Sequence, residues 1–173
     1  MASGSLSSKA KTMSGLELLA RCKASPDLFP ALDDALAQVV GHRLFTLMAI
    51  DWKRNEAERI YSSRPKEYPL GGRKALGELT DWGEIVLIRC KPWIARTIED
   101  IRGAFFDHEL IASLGCQSCL NIPVTSTDAS GILRAVGTMN MLHENNHFGP
   151  EHVAKAMPFA ALLEPVLSSW AAG

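Results

Sequence analysis

The 173-residue chain lacks most features that assign a function class at sight. It has no clustered basic run, and its formal net charge is -1. A surface that neutralises phosphates needs grouped Lys and Arg, so nucleic acid is not an expected partner. No apolar stretch approaches the roughly 18 residues of a membrane span, so no membrane partner is expected either. Met1 to Thr12 is rich in Ser and small residues and has no apolar signal core. It reads as part of a disordered leader over residues 1–14, ahead of one domain over 15–173. Without an export signal, the four cysteines are expected to be reduced thiols of a cytoplasmic protein. There is no internal repeat. The chain is 47% hydrophobic and 21% charged, ordinary values for a globular domain with a full core.

Hydropathy patterning places the elements. Gly15 to Ala24 is an amphipathic helix that Ser14 can cap. Ser25 is expected to cap a second helix, with Pro26 at its first position and Gly41 ending it. Leu44 to Ile50 is apolar on both alternating faces, which predicts a central strand covered on both sides. Glu58 to Ser63 is its expected partner, with Ile60 facing away from Arg59 and Tyr61. Two Pro and three Gly over 64–77 predict an irregular covering loop. A helix over Asp81 to Cys90 follows, then a strand over Trp93 to Thr97 and short helices over Ile98 to Ala104 and Asp107 to Leu114. Two apolar, β-prone runs then flank a turn over Thr125 to Gly131, the pattern of a hairpin. Gly149-Pro150 opens the last helix, in which Pro158 and Pro165 predict kinks or a break.

This order predicts an α+β domain. Two hairpins favour a central antiparallel sheet of five to six strands. The terminal helices pack on one face, and the 64–115 insertion covers the other over a hollow.

At this point the chain resembles the GAF domain family, a PAS-related group, over Leu28 to Leu167. The resemblance rests on Leu114-Gly-Cys-Gln-Ser-Cys-Leu-Asn-Ile-Pro-Val, then Val136-Gly-Thr-Met-Asn-Met-Leu-His, then Phe148 ahead of the last helix. It implies a sensory or regulatory module that holds a small molecule between sheet and insertion, and a homodimer formed through the terminal helices. A small enzyme on the same scaffold is the alternative. Two departures bear on the ligand. Cyclic-nucleotide-binding members carry an Asn-Lys pair and a Phe before two acids; here Met141 follows Asn140 and Gly149 follows Phe148. Methionine-sulfoxide-reducing members place their cysteines at another spacing than Cys90, Cys116 and Cys119. The family takes varied ligands, so it names none, and no motif requires a cofactor.

Candidate site residues follow. Tyr61, Tyr68 and Arg73, with Arg59 and Lys74, bracket the covering loop, where guanidinium and hydroxyl donors suit a carboxylate. Trp82, Trp93 and Phe105 offer aromatic walls, or simply the core of a thin cover. Asp107 and His108 can contact a ligand, or His108 can act as a general base beside carboxylates. Cys116-Gln-Ser-Cys119 has redox spacing but precedes a strand instead of opening a helix. With Cys90 it leaves three readings open: packing thiols, thiol chemistry or half a metal site. Asn121 and Asn140, each amid apolar neighbours, satisfy backbone groups or touch ligand. His143-Glu-Asn-Asn-His147 matches a zinc-protease pattern that requires a helix. It follows a strand and is expected to be a loop, so no metal is assigned.

Overall fold

The excursion between the two hairpins dictates the architecture. The computed structural model describes residues 12–76 and 80–172. Most of the leader expected over 1–14 lies outside these. Of its described part, Met13 packs on the core and Ser14 caps the first helix.

Helix α1 spans Gly15–Ala24 with a capping box: Glu17 N–H donates to Ser14 Oγ at 3.3 Å, and Ser14 N–H donates to Glu17 Oε2 at 2.7 Å. Helix α2 spans Leu28–Val39 and starts later than the Ser-Pro signal predicts. Asp27 holds the cap position, while Ser25 Oγ accepts from Asp27 N–H at 3.2 Å and so serves a local turn instead.

Strands β1 (Leu44–Asp51), β2 (Glu56–Ser62), β3 (Arg73–Ala75), β4 (Trp93–Ala95), β5 (Ser118–Thr127) and β6 (Leu133–His143) form one sheet in the order β3-β2-β1-β6-β5-β4. Every neighbouring pair is antiparallel. Strand β3 was not expected, because Gly and Pro neighbours mask a three-residue edge strand. Its consequence is topological. The 64–115 insertion supplies both edges of the sheet, β3 and β4, so the chain between them must cross one whole face.

That crossing segment is α3 (Asp81–Gly83), capped by Thr80, which runs on as a π-helical turn over Glu84–Ile88. The predicted ten-residue α-helix is therefore shorter and wound more widely. Cys90 then turns the chain with φ 53°. Helices α4 (Ile98–Ala104) and α5 (His108–Ser113) return over the same face. The opposite face carries α1, α2, α6 (Pro150–Ala160) and α7 (Glu164–Ala172). Pro158 stays inside α6 without ending it. The break falls at the 3-10 turn Ala161–Leu163, and Pro165 occupies the first turn of α7, where a missing amide donor is harmless.

Strand alternation sorts side chains onto the two faces. Phe45, Leu47, Leu120, Ile122, Met139 and Met141 join Leu32, Leu36, Phe148, Phe159 and Leu167 in one continuous helix-side core. On the cover side, packing splits in two. One cluster gathers Leu44, Tyr68, Ile101, Ile111 and Leu142. The other gathers Ile50, Ala57, Val86, Leu87 and Ala135.

A β-bulge sets the face of two candidate residues. Leu47 pairs with Tyr61 and Met48 with Arg59, which leaves Ile60 as the extra residue. Arg59 and Tyr61 therefore face opposite sides of the sheet. This corrects the expectation that they share a face. Among the described residues, no helix is long and apolar enough to cross a membrane.

Candidate functional site

Between the two cover-side clusters lies a cavity of about 210 Å³. Its floor is the sheet: Thr46 and Met48 from β1, Ala57 and Arg59 from β2, Cys119 and Asn121 from β5, Thr138, Asn140 and Leu142 from β6. Its walls and roof are Tyr68, Lys74 to Leu76, Thr80, Trp82, Gly83, Leu87, Ala104 to Asp107 and Ile111.

The floor carries a polar ladder. Asn121 and Asn140 lie directly opposite each other on β5 and β6. Trp82 Nε1–H donates to Asn121 Oδ1 at 3.0 Å, Asn121 Nδ2–H to Asn140 Oδ1 at 2.7 Å, and Asn140 Nδ2–H to Thr46 Oγ1 at 3.2 Å. The two asparagines thus satisfy each other rather than backbone groups. The ladder also ties the roof, through Trp82, to the centre of the sheet. Trp82 in turn meets Phe105 edge-on, at 5.4 Å between ring centroids.

A charged cluster forms one wall. Arg59 is only 6% exposed, and its guanidinium lies 3.7 Å from the centroid of the Tyr68 ring. Arg59 Nη1–H donates to the Pro69 carbonyl at 2.7 Å. Asp107 accepts from the Tyr68 hydroxyl at 2.6 Å and from Lys74 Nζ at 3.4 Å. Burial, then the Asp107 bond, pushes the Tyr68 hydroxyl far above its ordinary range, so it stays a protonated donor. Burial depresses Lys74, opposed by Asp107. Lys74 Nζ also lies 4.1 Å from the Phe106 ring centroid, and Phe106 is 78% exposed beside it.

Two polar atoms of the floor and wall have no partner. Arg59 Nε and Thr138 Oγ1 are the only buried side-chain nitrogen or oxygen atoms without a hydrogen bond among the described residues. Both residues line the cavity. Native interiors leave few such groups, and each calls for an explanation.

The candidates named from sequence fall into two sets. Tyr68, Trp82, Phe105, Asp107, Asn121 and Asn140 line the cavity. Five others lie elsewhere. Tyr61 is carried to the helix side by the bulge, donates to Asp33 Oδ2 at 2.7 Å and packs against Phe29 and Phe45. Arg73 pairs with Glu58 and Glu56 at the sheet edge. Trp93 stands behind Phe105, 5.9 Å between centroids. His108 opens α5 outside the lining, and Cys116 is buried in the cluster with Leu44 and Ile111. Thr46, Met48, Leu87 and Thr138 were not selected from sequence, and Cys119, named there only for its thiol, also lines the cavity. Thr138 and Cys119 were legible as the face-mates of Asn140 and Asn121.

The thiols have none of the activation that nucleophilic or redox chemistry needs. Burial pushes the Cys116 thiol up to about 11 and the Cys119 thiol up to about 12. Burial also raises Cys90, which packs beside Trp93 outside the cavity. All are free thiols. His143 ends β6 and its ring stacks on His147 at 3.7 Å, while His147 Nε2 is bound to the Val40 carbonyl at 2.7 Å. The pair sits on a strand end and a loop, not on one helix. Among the described residues, no three His, Cys, Asp or Glu are placed to share a metal ion.

No protein-family model matches the sequence, and no curated protein matches it. Solved structures do. The GAF domain of a phosphoenolpyruvate-protein phosphotransferase from Acinetobacter superposes with a TM-score of 0.66 at 17% identity, covering 92% of this chain and 97% of that one. The GAF domain of a phosphoenolpyruvate-protein phosphotransferase from Coxiella burnetii gives 0.63 at 20% identity, covering 94% and 99%. The GAF domain of a two-component sensor histidine kinase from Bacillus halodurans gives 0.65 at 16% identity, covering 83% and 93%. At these identities the likeness establishes the fold, which is that of GAF domains.

Proposed function

We propose that this GAF-fold chain is a small-molecule-sensing module whose ligand sits between the sheet and the 64–115 cover. The observation that carries this reading is the coincidence of hollow and orphaned groups. Among the described residues, the two buried side-chain atoms without partners both belong to residues that line the cavity. Groups left unpaired on folding are ready donors for a bound molecule, because each has already lost its water. The ladder from Trp82 to Thr46 gives the ligand a route to the cover. A molecule resting on Asn140 and Trp82 orders the roof and shifts the balance between open and closed cover. A sensory role also accords with the histidine-kinase neighbour.

The module acts in the cytoplasm, as a homodimer through its terminal helices, where Leu16, Met157 and Val166 are exposed apolar positions. Light scattering tests that assembly: Leu16→Glu with Val166→Glu is expected to halve the mass, and an unchanged mass rejects the helical interface.

Thermal-shift screening against a metabolite collection tests the sensing role. A ligand at about 100 times its Kd adds about 2.7 kcal/mol, which raises the Tm of a domain this size by about 5–10 °C. The same compound is expected to shift Ala104→Phe, whose new ring fills the cavity, by less than a third as much. A full shift in that variant, or no shift by any compound, contradicts the reading.

A further inference from the structure

We infer that the cavity takes a small monocarboxylate with a compact apolar body, its carboxylate held by the Arg59 guanidinium. The inference rests on the sensing role proposed above and adds the class of ligand.

Charge is the first argument. Among the described residues, Asp107 is the only acidic residue of the lining, against two cations, Arg59 and Lys74. Asp107 is already engaged by Lys74 and by the Tyr68 hydroxyl. Arg59 has no carboxylate within ion-pair distance among the described residues, although it is 6% exposed. A guanidinium withdrawn from water without a counter-ion is costly, and an arriving anion removes that cost. Among the described residues of the lining one positive charge is in excess, which suits one negative charge on the ligand.

Donor geometry is the second. Arg59 has five N–H donors, of which the Pro69 carbonyl takes one. Its Nε is unpartnered. A flat guanidinium fork suits the two oxygens of a carboxylate better than a single-point acceptor. The Tyr68 ring fixes the plane of the fork from one side.

Size and polarity bound the remainder of the molecule. About 210 Å³ holds roughly seven waters. This suits a body of about ten heavy atoms. Met48, Leu76, Leu87, Phe105 and Ile111 supply apolar wall. Lys74, the other cation, is already paired with Asp107, so a second carboxylate would lie against these apolar side chains, which disfavours dicarboxylates.

Calorimetry at pH 7 with matched pairs tests the assignment. The acids are 3-methylbutanoate, benzoate, phenylacetate and 3-phenylpropanoate, each set against its primary amide. Pairing holds the body constant and changes only the charge. At least one acid is expected to bind one-to-one, at least tenfold tighter than its amide. Arg59→Met keeps the stem under Tyr68 and removes the fork. It is expected to cost that acid at least tenfold while leaving the amide within twofold. If that variant does not fold, the acid–amide ratio in the natural chain decides alone. Equal affinity of acid and amide overturns the carboxylate assignment but keeps the cavity as a binding site. Failure of all four acids overturns the ligand class, and the metabolite screen then judges the sensing role separately.

Discussion

The two faces of one sheet have been built to opposite specifications. On the helix side, alternate residues of β1, β5 and β6 interlock with α1, α2, α6 and α7 in a single apolar core. On the cover side, the intervening residues of the same strands include Thr46, Cys119, Asn121, Thr138 and Asn140, and they face a hollow. The first face has the dense packing that stabilises a fold. The second keeps polar groups where apolar ones would pack, and among the described residues it leaves Thr138 Oγ1 and, on β2, Arg59 Nε unpaired. The lesson is that strand alternation alone can separate what holds this domain together from what it offers to a ligand.

The sharpest way to break that comparison is truncation on each face. Leu120→Ala, on the filled side, is expected to cost about 3–4 kcal/mol in urea unfolding. Met48→Ala merely widens an existing hollow and is expected to cost about half that or less. Equal losses would mean that the cover side is packed as tightly as the core.

The ladder comes next. Asn140→Leu strands Asn121 Nδ2 and the Thr46 hydroxyl, and is expected to cost about 1–3 kcal/mol. Asn121→Leu combined with Asn140→Leu removes both partners, and the pair is expected to lose less than the two single losses added together. Additive losses in that double-mutant cycle would deny the coupling.

A smaller effect has the opposite sign. Thr138→Val deletes an unpartnered hydroxyl at constant shape, and is expected to leave stability unchanged or raise it by up to about 1 kcal/mol. Thr46→Val takes the acceptor from Asn140 and is expected to lower it. A loss in Thr138→Val would show that the hydroxyl has a partner.

Near neutral pH the smallest effect is that of a thiol, and it grows in alkali. The Cys116 thiol is raised from 9.0 to about 11 by burial. Between those values the unfolded chain has lost a proton that the folded chain keeps, so stability falls as pH rises above 9. Cys116→Ala is expected to flatten the slope of unfolding free energy between pH 8.5 and 10.5. An unchanged slope would place Cys116 in water.

Much of this was legible in the sequence, for local reasons. The apolar alternation of the hairpin marked β5 and β6, and polar residues interrupting it marked Asn121 and Asn140. The insertion announced itself by Pro and Gly. What escaped reading depends on partners distant in sequence. The bulge at Ile60 arises from the register against β1, so Tyr61 could not be separated from Arg59 in advance. Arg73 looked like a donor for ligand until β3 paired with β2 and set it against Glu56 and Glu58. His108 and Cys116 lie next in sequence to cavity elements, yet His108 opens α5 outside the lining and Cys116, past the end of α5, packs into the cluster with Leu44 and Ile111.

Xenon titration, followed by methyl NMR, tests the contrast between the two faces most directly. Xenon enters apolar hollows and leaves dense cores undisturbed. The account predicts saturable shifts at Met48, Leu76, Leu87, Ile111 and Leu142, with none at Leu36, Leu120, Ile122 or Met139. Shifts absent from the cover side, or spread equally over both sets, would contradict it.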